Sequence, residues 1–179
     1  MIRLASLILT LLLLLNNSSL GQTEDEIQQD LLELTDRVER YGSPESYLVR
    51  GMALYKLGRL EEAHKDFEES CKLEPDDDIA WYWLGCSNFA FTNFTDAAWC
   101  FSKSVSLDPE APWFYHQALG DALYQDGKHL EALACYQNAV EAARSRTQSK
   151  ERVRKLEEVL NLARKGVYRP ELPEPIDRI

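Results

Sequence analysis

The chain has 179 residues, 45% of them hydrophobic and 28% charged, a balance that excludes a disordered or collagen-like polymer and gives one domain with a real core. Thirty acidic against 20 basic side chains leave a formal charge of −10, the wrong sign for gripping a phosphate backbone or an anionic lipid surface. Nucleic acid is therefore not an expected partner.

Residues 1–21 begin with Arg3, continue through the apolar run Leu4 to Leu15 and end in the small, polar "NNSSLG". This pattern predicts a secretory signal cleaved before Gln22. The run falls short of the roughly 17 to 25 apolar residues that a spanning helix needs, so no membrane span is expected after cleavage; an uncleaved anchor is the alternative. The expected location is secreted or otherwise extracytoplasmic, in a periplasm or the lumen of a secretory pathway.

Residues 22–42 predict a capping helix, opened by a Thr23/Glu26 capping box and closed by Gly42, with Ile27, Leu31, Leu34 and Val38 on one stripe. Beyond it the chain repeats itself. A shift of 34 superposes Gly51 on Gly85, Ala63 on Ala97, Phe67 on Phe101 and Pro75 on Pro109, and a third copy, shifted by one residue more, puts Gly120, Ala132 and Tyr136 on the first three marks. A small residue, another small one 12 positions later and an aromatic four further on let two antiparallel helices approach closely with a ring filling the space beside them. The three units, 43–76, 77–110 and 111–145, are thus predicted as helical hairpins.

The punctuation agrees. Ser43 precedes Pro44 as a cap, Gly58 and Gly127 mark the turns, Pro75 and Pro109 end second helices, and Pro112 opens the next first helix. In the middle unit Thr92 replaces the turn glycine, with Asn93 beside it as the residue tolerant of left-handed geometry. Asp76, Asp77 and Asp78 lack the Gly and spaced Glu of a calcium loop and predict capping of the next helix instead. Residues 146–166 predict a second capping helix with Val153, Leu156, Leu160 and Ala163 on one face and Arg and Lys opposite. The tail 167–179 holds three prolines and is expected to be extended, either free or lying along a groove.

This pattern resembles the tetratricopeptide repeat family, whose motif is W-x2-L-G-x2-Y…A-x3-F…P. The middle unit meets it with Trp81, Leu84, Gly85, Ala97, Phe101 and Pro109, though Asn88 stands at the Tyr position. The first carries Tyr47, Gly51, Ala63, Phe67 and Pro75, with Arg50 in place of Leu; the third carries Leu119, Gly120, Ala132, Tyr136 and Ala139, with His116 for Trp and Arg144 for Pro. The resemblance implies an all-α, right-handed solenoid of three hairpins between two capping helices.

It also implies that one side of each first helix lines a concave surface. Trp81 and Phe101 are assigned to the core. The expected peptide-binding groove consists of Leu48, Met52 and Tyr55 in the first unit, Tyr82 and Phe89 in the second, and Phe114, Gln117, Asp121 and Tyr124 in the third. Cys86 is on the same side and Trp83 near it. The Lys, Arg and Asn positions of a carboxylate clamp for a chaperone tail are absent, so a hydrophobic or basic segment is the expected ligand.

The four cysteines have no C-x-x-C and no metal spacing, and read as buried thiols. Cys86 and Cys100, equidistant from the turn at Asn93, are the candidate disulfide. Asn93-Phe94-Thr95 is a glycosylation tripeptide in an exposed turn if the host is eukaryotic, while Asn16 and Asn17 would leave with the signal. His64, His116 and His129 show no ligand spacing, and neither a P-loop nor a nucleophile elbow is present. No metal, cofactor or catalytic residue is expected. The sequence thus predicts an exported, non-catalytic interaction module, an adaptor or assembly factor; a structural subunit with a permanently filled groove, or a holdase, is the alternative.

Overall fold

In the computed structural model, the described residues are 24–108, 110–145 and 149–171, and they form eight α-helices with no strand among them. The helices are α1 (Glu24–Tyr41), α2 (Pro44–Lys56), α3 (Leu60–Leu73), α4 (Asp78–Ala90), α5 (Phe94–Leu107), α6 (Trp113–Gln125), α7 (His129–Ser145) and α8 (Lys150–Arg164). Each packs chiefly on its chain neighbours, most extensively within the pairs α2/α3, α4/α5 and α6/α7. That nearest-neighbour pattern is an α-solenoid. The expected signal segment, Thr23 and Pro109 lie outside the described residues.

The repeat marks have one physical cause. A Cβ placed on Gly51, Gly85 or Gly120 would come within 2.6 Å of a ring carbon of Phe67, Phe101 or Tyr136, respectively. Only a residue without a side chain lets the two helices of each hairpin close over that ring. The partner positions Ala63, Ala97 and Ala132 are completely buried.

The caps form locally. The Ser43 hydroxyl accepts from the Ser46 amide at 3.2 Å, and Asp77 accepts from the amides of Ile79 and Ala80, so the acid run does cap α4. Each hairpin turn closes with paired backbone bonds onto the end of the first helix, Arg59 N–H to Leu54 O and Gly58 N–H to Tyr55 O in the first. This motif needs a positive φ. Gly58 and Gly127 supply it, and in the middle hairpin Thr92 itself does, at φ 61°, whereas Asn93 stays at −81°. The left-handed residue is thus Thr92 and not its neighbour, because the bonds from Thr92 and Asn93 to Phe89 O and Asn88 O fix the register.

Departures from the family motif are compensated. Arg50, at the Leu position, forms two bonds of 2.6 and 2.7 Å to the buried Asp66 carboxylate on α3. Arg144, at the Pro position, lets α7 run to Ser145 and pairs with Glu157 of α8. Leu31, Leu34 and Val38 of α1 and Leu156, Leu160 and Ala163 of α8 are buried, so both ends of the stack are covered. The Ile27 side chain lies outside the description.

Two assignments change. Trp83, expected near the groove, is wholly buried, stacked on Phe67 with Tyr55 edge-on, whereas Trp81 is half-buried, its indole donating to Pro75 O at 2.8 Å. Trp81 also meets Trp99, which remains 60% exposed. Cys86 and Cys100 are separate free thiols and not a bridge: Cys86 is hydrogen-bonded with Tyr82, and Cys100 accepts from Asn88 Nδ2 at 3.7 Å. Cys71 and Cys135 are also free.

Candidate functional site

The residues expected to form a continuous aromatic floor divide into two groups. Leu48, Met52 and Phe89 are buried within the core, and Tyr55 packs its ring edge-on against Trp83. Tyr124 is buried against His129 and Tyr168. None of these five lines the cleft formed by the others. Tyr55 is met by Trp83 of the next hairpin, Phe89 by Phe94 of its own, and Tyr124 by His129 of its own hairpin and Tyr168 of the tail.

Tyr82, Phe114, Gln117 and Asp121 do come together, on one cleft of about 320 Å3 between α6 and α8. Tyr82 forms its deepest part at 1% exposure, stacked on Tyr115 at 4.9 Å with Phe114 edge-on at 5.6 Å. Because Tyr82 is this enclosed, it holds the floor in place and offers little surface to a ligand. Trp113 and Phe114, both half-buried, are the rings that face the opening.

The other wall comes from α8, which sequence reasoning did not place there, and from the tail, for which lying along a groove was one of the two expectations. Arg152, Lys155, Leu156 and Val159 of α8 line the cleft, as do Tyr168, Arg169 and Glu171 of the tail. Arg152 and Lys155 lie four residues and one residue before the buried Leu156, and that spacing was the available signal. The tail arrives because Gly166, at φ 69°, ends α8 with the same paired-bond turn, Val167 N–H to Leu162 O and Gly166 N–H to Ala163 O, which sends the chain back along the helix. Residues 167–171 are therefore neither helical nor free: Tyr168 is buried, edge-on to Tyr124 and Tyr136.

At the base of this corner sits Asp121, 3% exposed. It accepts a 2.9 Å hydrogen bond from Tyr136 Oη, with the side chains of Tyr168 and Gln117 as further partners. Burial pushes its carboxyl up to about 7, and these hydrogen bonds oppose the shift. Burial likewise raises the phenols of Tyr136 and Tyr168 well above their ordinary range.

One constellation superficially resembles a catalytic relay. His64 Nδ1 lies 2.9 Å from Ser87 Oγ, and Glu68 lies 3.4 Å from Nε2. Ser87, however, is completely buried and donates its proton to Leu84 O at 2.8 Å, so the imidazole must donate to it. The trio ties α3 to α4 and presents no nucleophile. His116 is half-buried, with burial lowering its pKa, and His129 is exposed on the Tyr124 ring. Among the described residues no group of three or more His, Cys, Asp or Glu is placed to hold a metal ion, and no helix is long and apolar enough to cross a membrane.

Comparison with known proteins agrees with this architecture. Two family models, each described as the tetratricopeptide repeat, match residues 44–77 and 115–146, the first and third hairpins. Among curated proteins, RNA polymerase II-associated protein 3 of Mus musculus is 29% identical over 56% of this chain, which spans only 17% of that relative. Among solved structures, MamA superposes with a TM-score of 0.63 at 14% identity, covering 80% of this chain and 92% of that one. The Yersinia enterocolitica type III secretion chaperone SycD, in complex with a peptide of the translocator YopD, gives 0.62 at 22% identity, covering 68% and 92%. At such identities the likeness is one of fold. With three glycine-on-ring crossings in register and two of the three hairpins matched by family models, this chain is a tetratricopeptide repeat protein.

Proposed function

We propose that the chain is a non-catalytic interaction module that holds a segment of another protein in the cleft between α6 and α8. The repeat family and fold support an interaction role. The observation that carries the reading is the pair Trp113 and Phe114, two large rings only half-buried at the mouth of a cleft whose remaining apolar walls are already packed. The solved complex of SycD with a peptide supports the same use of the fold.

The test is cross-linking in the native compartment, comparing the natural chain with a Trp113→Ala/Phe114→Ala variant. Loss of the captured protein with unchanged helical circular dichroism supports the reading; equal capture by both would refute it. Tyr82 and Phe89 do not serve this purpose, since both are core and their truncation removes packing.

A second reading, a groove filled by the chain's own tail, is favoured by the docking of Tyr168 against Tyr124 and Tyr136. Protection of the bond after Tyr168 from chymotrypsin would favour it, and rapid cleavage there would count against it. Export through residues 1–21 belongs to the proposal and predicts a mature N-terminus at Gln22. In a eukaryotic host Asn93, exposed at the α4/α5 turn, is the expected glycan acceptor, visible as a mass shift on endoglycosidase treatment.

A further inference from the structure

The charge of the cleft is opposite to that of the chain. Against a formal −10 overall, three cations line this one opening: Arg152 and Lys155 from α8 and Arg169 from the tail. Arg152 lays its guanidinium over the Trp113 ring, 4.6 Å from the centroid. That geometry uses the face of the group and leaves its N–H edge free for a planar acceptor. Neither Lys155 nor Arg169 forms an ion pair or hydrogen bond among the described residues, although exposed lysines and arginines elsewhere do, as in Arg59–Glu62 and Lys72–Glu69. On the anionic side, Asp121 is buried and already held by Tyr136, which leaves Glu171 as the exposed carboxylate of the lining.

We infer that the segment bound in this cleft is acidic, with aspartate or glutamate side chains flanking an apolar or aromatic one. The apolar residue packs on Trp113 and Phe114, and the carboxylates meet Arg152 and Lys155. The cations come from a capping helix and a tail and not from the first helices of the repeats. The expectation of a hydrophobic or basic segment, which rested on the lining of the first helices, is replaced here by the local field of α8 and the tail, because the more distant acidic charges, beyond about 10 Å, are largely screened at ordinary salt. This inference rests on the cleft being the binding site.

The probe is a randomised dodecapeptide library selected on the full chain, on the Trp113→Ala/Phe114→Ala variant and on an Arg152→Glu/Lys155→Glu variant. Selection for acidic residues beside an apolar one on the natural chain, turning to basic residues on the charge-reversed variant, is the expected result. A selected acidic peptide should lose about tenfold or more in affinity on charge reversal, the scale of one or two charge-assisted hydrogen bonds. Selection of basic or uncharged peptides that still requires Trp113 and Phe114 overturns the acidic ligand and leaves the cleft standing. Selection indifferent to both variants overturns the cleft as the site and the inference with it. Circular dichroism of the variants separates loss of binding from loss of fold.

Discussion

Tyr136 donates its hydroxyl proton to Asp121 Oδ1 over 2.9 Å, joining α7 to α6 at the corner where the tail also docks. The carboxyl is thereby placed where burial favours its protonated form, at about 7 against an ordinary 3.8. Between these values the folded chain carries a proton that the unfolded chain has released, so stability from this group is complete only below about 3.8 and is lost progressively as pH rises from there through about 7. His116 works in the opposite sense, since burial lowers its pKa. Urea unfolding should show Asp121→Asn to be less pH-dependent than the natural chain between pH 5.5 and 8, with a difference on the order of a few kcal/mol at most. Parallel pH profiles for the two proteins would remove Asp121 from this role.

The middle hairpin turn stores strain at Thr92, a β-branched residue at φ 61° where its counterparts are glycine. Thr92→Gly should stabilise the chain by about 1 kcal/mol, net of the entropy that glycine restores to the unfolded state. Gly85→Ala should do the reverse by about 1 to 3 kcal/mol, because its new Cβ would lie 2.6 Å from the Phe101 ring. Thermal melts that rank the two variants the other way would contradict the turn and crossing geometry together.

Arg50 is at a family Leu position because Asp66 faces it. Arg50→Ala leaves the nearly buried Asp66 without its partner and should cost about 3 kcal/mol, while Arg50→Leu combined with Asp66→Ala should recover most of that loss. A double variant no more stable than Arg50→Ala would mean that the pair does more than neutralise itself.

The cysteines offer a chemical check on the core. Burial raises the thiols of Cys71 and Cys100 to about 12 and that of Cys135 to about 11, and Cys86 goes higher still. The folded protein should therefore react slowly with a thiol-specific disulfide reagent at pH 8, and all four thiols should titrate at once in denaturant. Two thiols in denaturant, with two more released by a reductant, would restore a bridge.

Much of this was readable from residue types alone. A period set by Gly51, Gly85 and Gly120, each followed by Ala and then a ring, specifies a hairpin because local contacts dominate the fold and the same crossing recurs with the same atoms. The capping roles of Ser43 and Asp77 and the buried stripes of α1 and α8 were legible for the same reason, being set within a turn or two of helix.

The site was not local in this sense. Spacing put Tyr82, Phe89 and Tyr124 on the inner side of their helices, yet only tertiary packing, with Phe94 against Phe89 and Tyr168 of the tail against Tyr124, decided that these two would be covered while Phe114 stayed half-buried. The sign of the cleft was hidden for the same reason. Arg152, Lys155 and Arg169 meet Trp113 and Phe114 across some 40 to 55 positions of chain, after a positive-φ glycine reverses the tail. The repeat is a property of short-range sequence, whereas the cleft comes from the last helix folding over the third hairpin, a contact that no periodicity encodes.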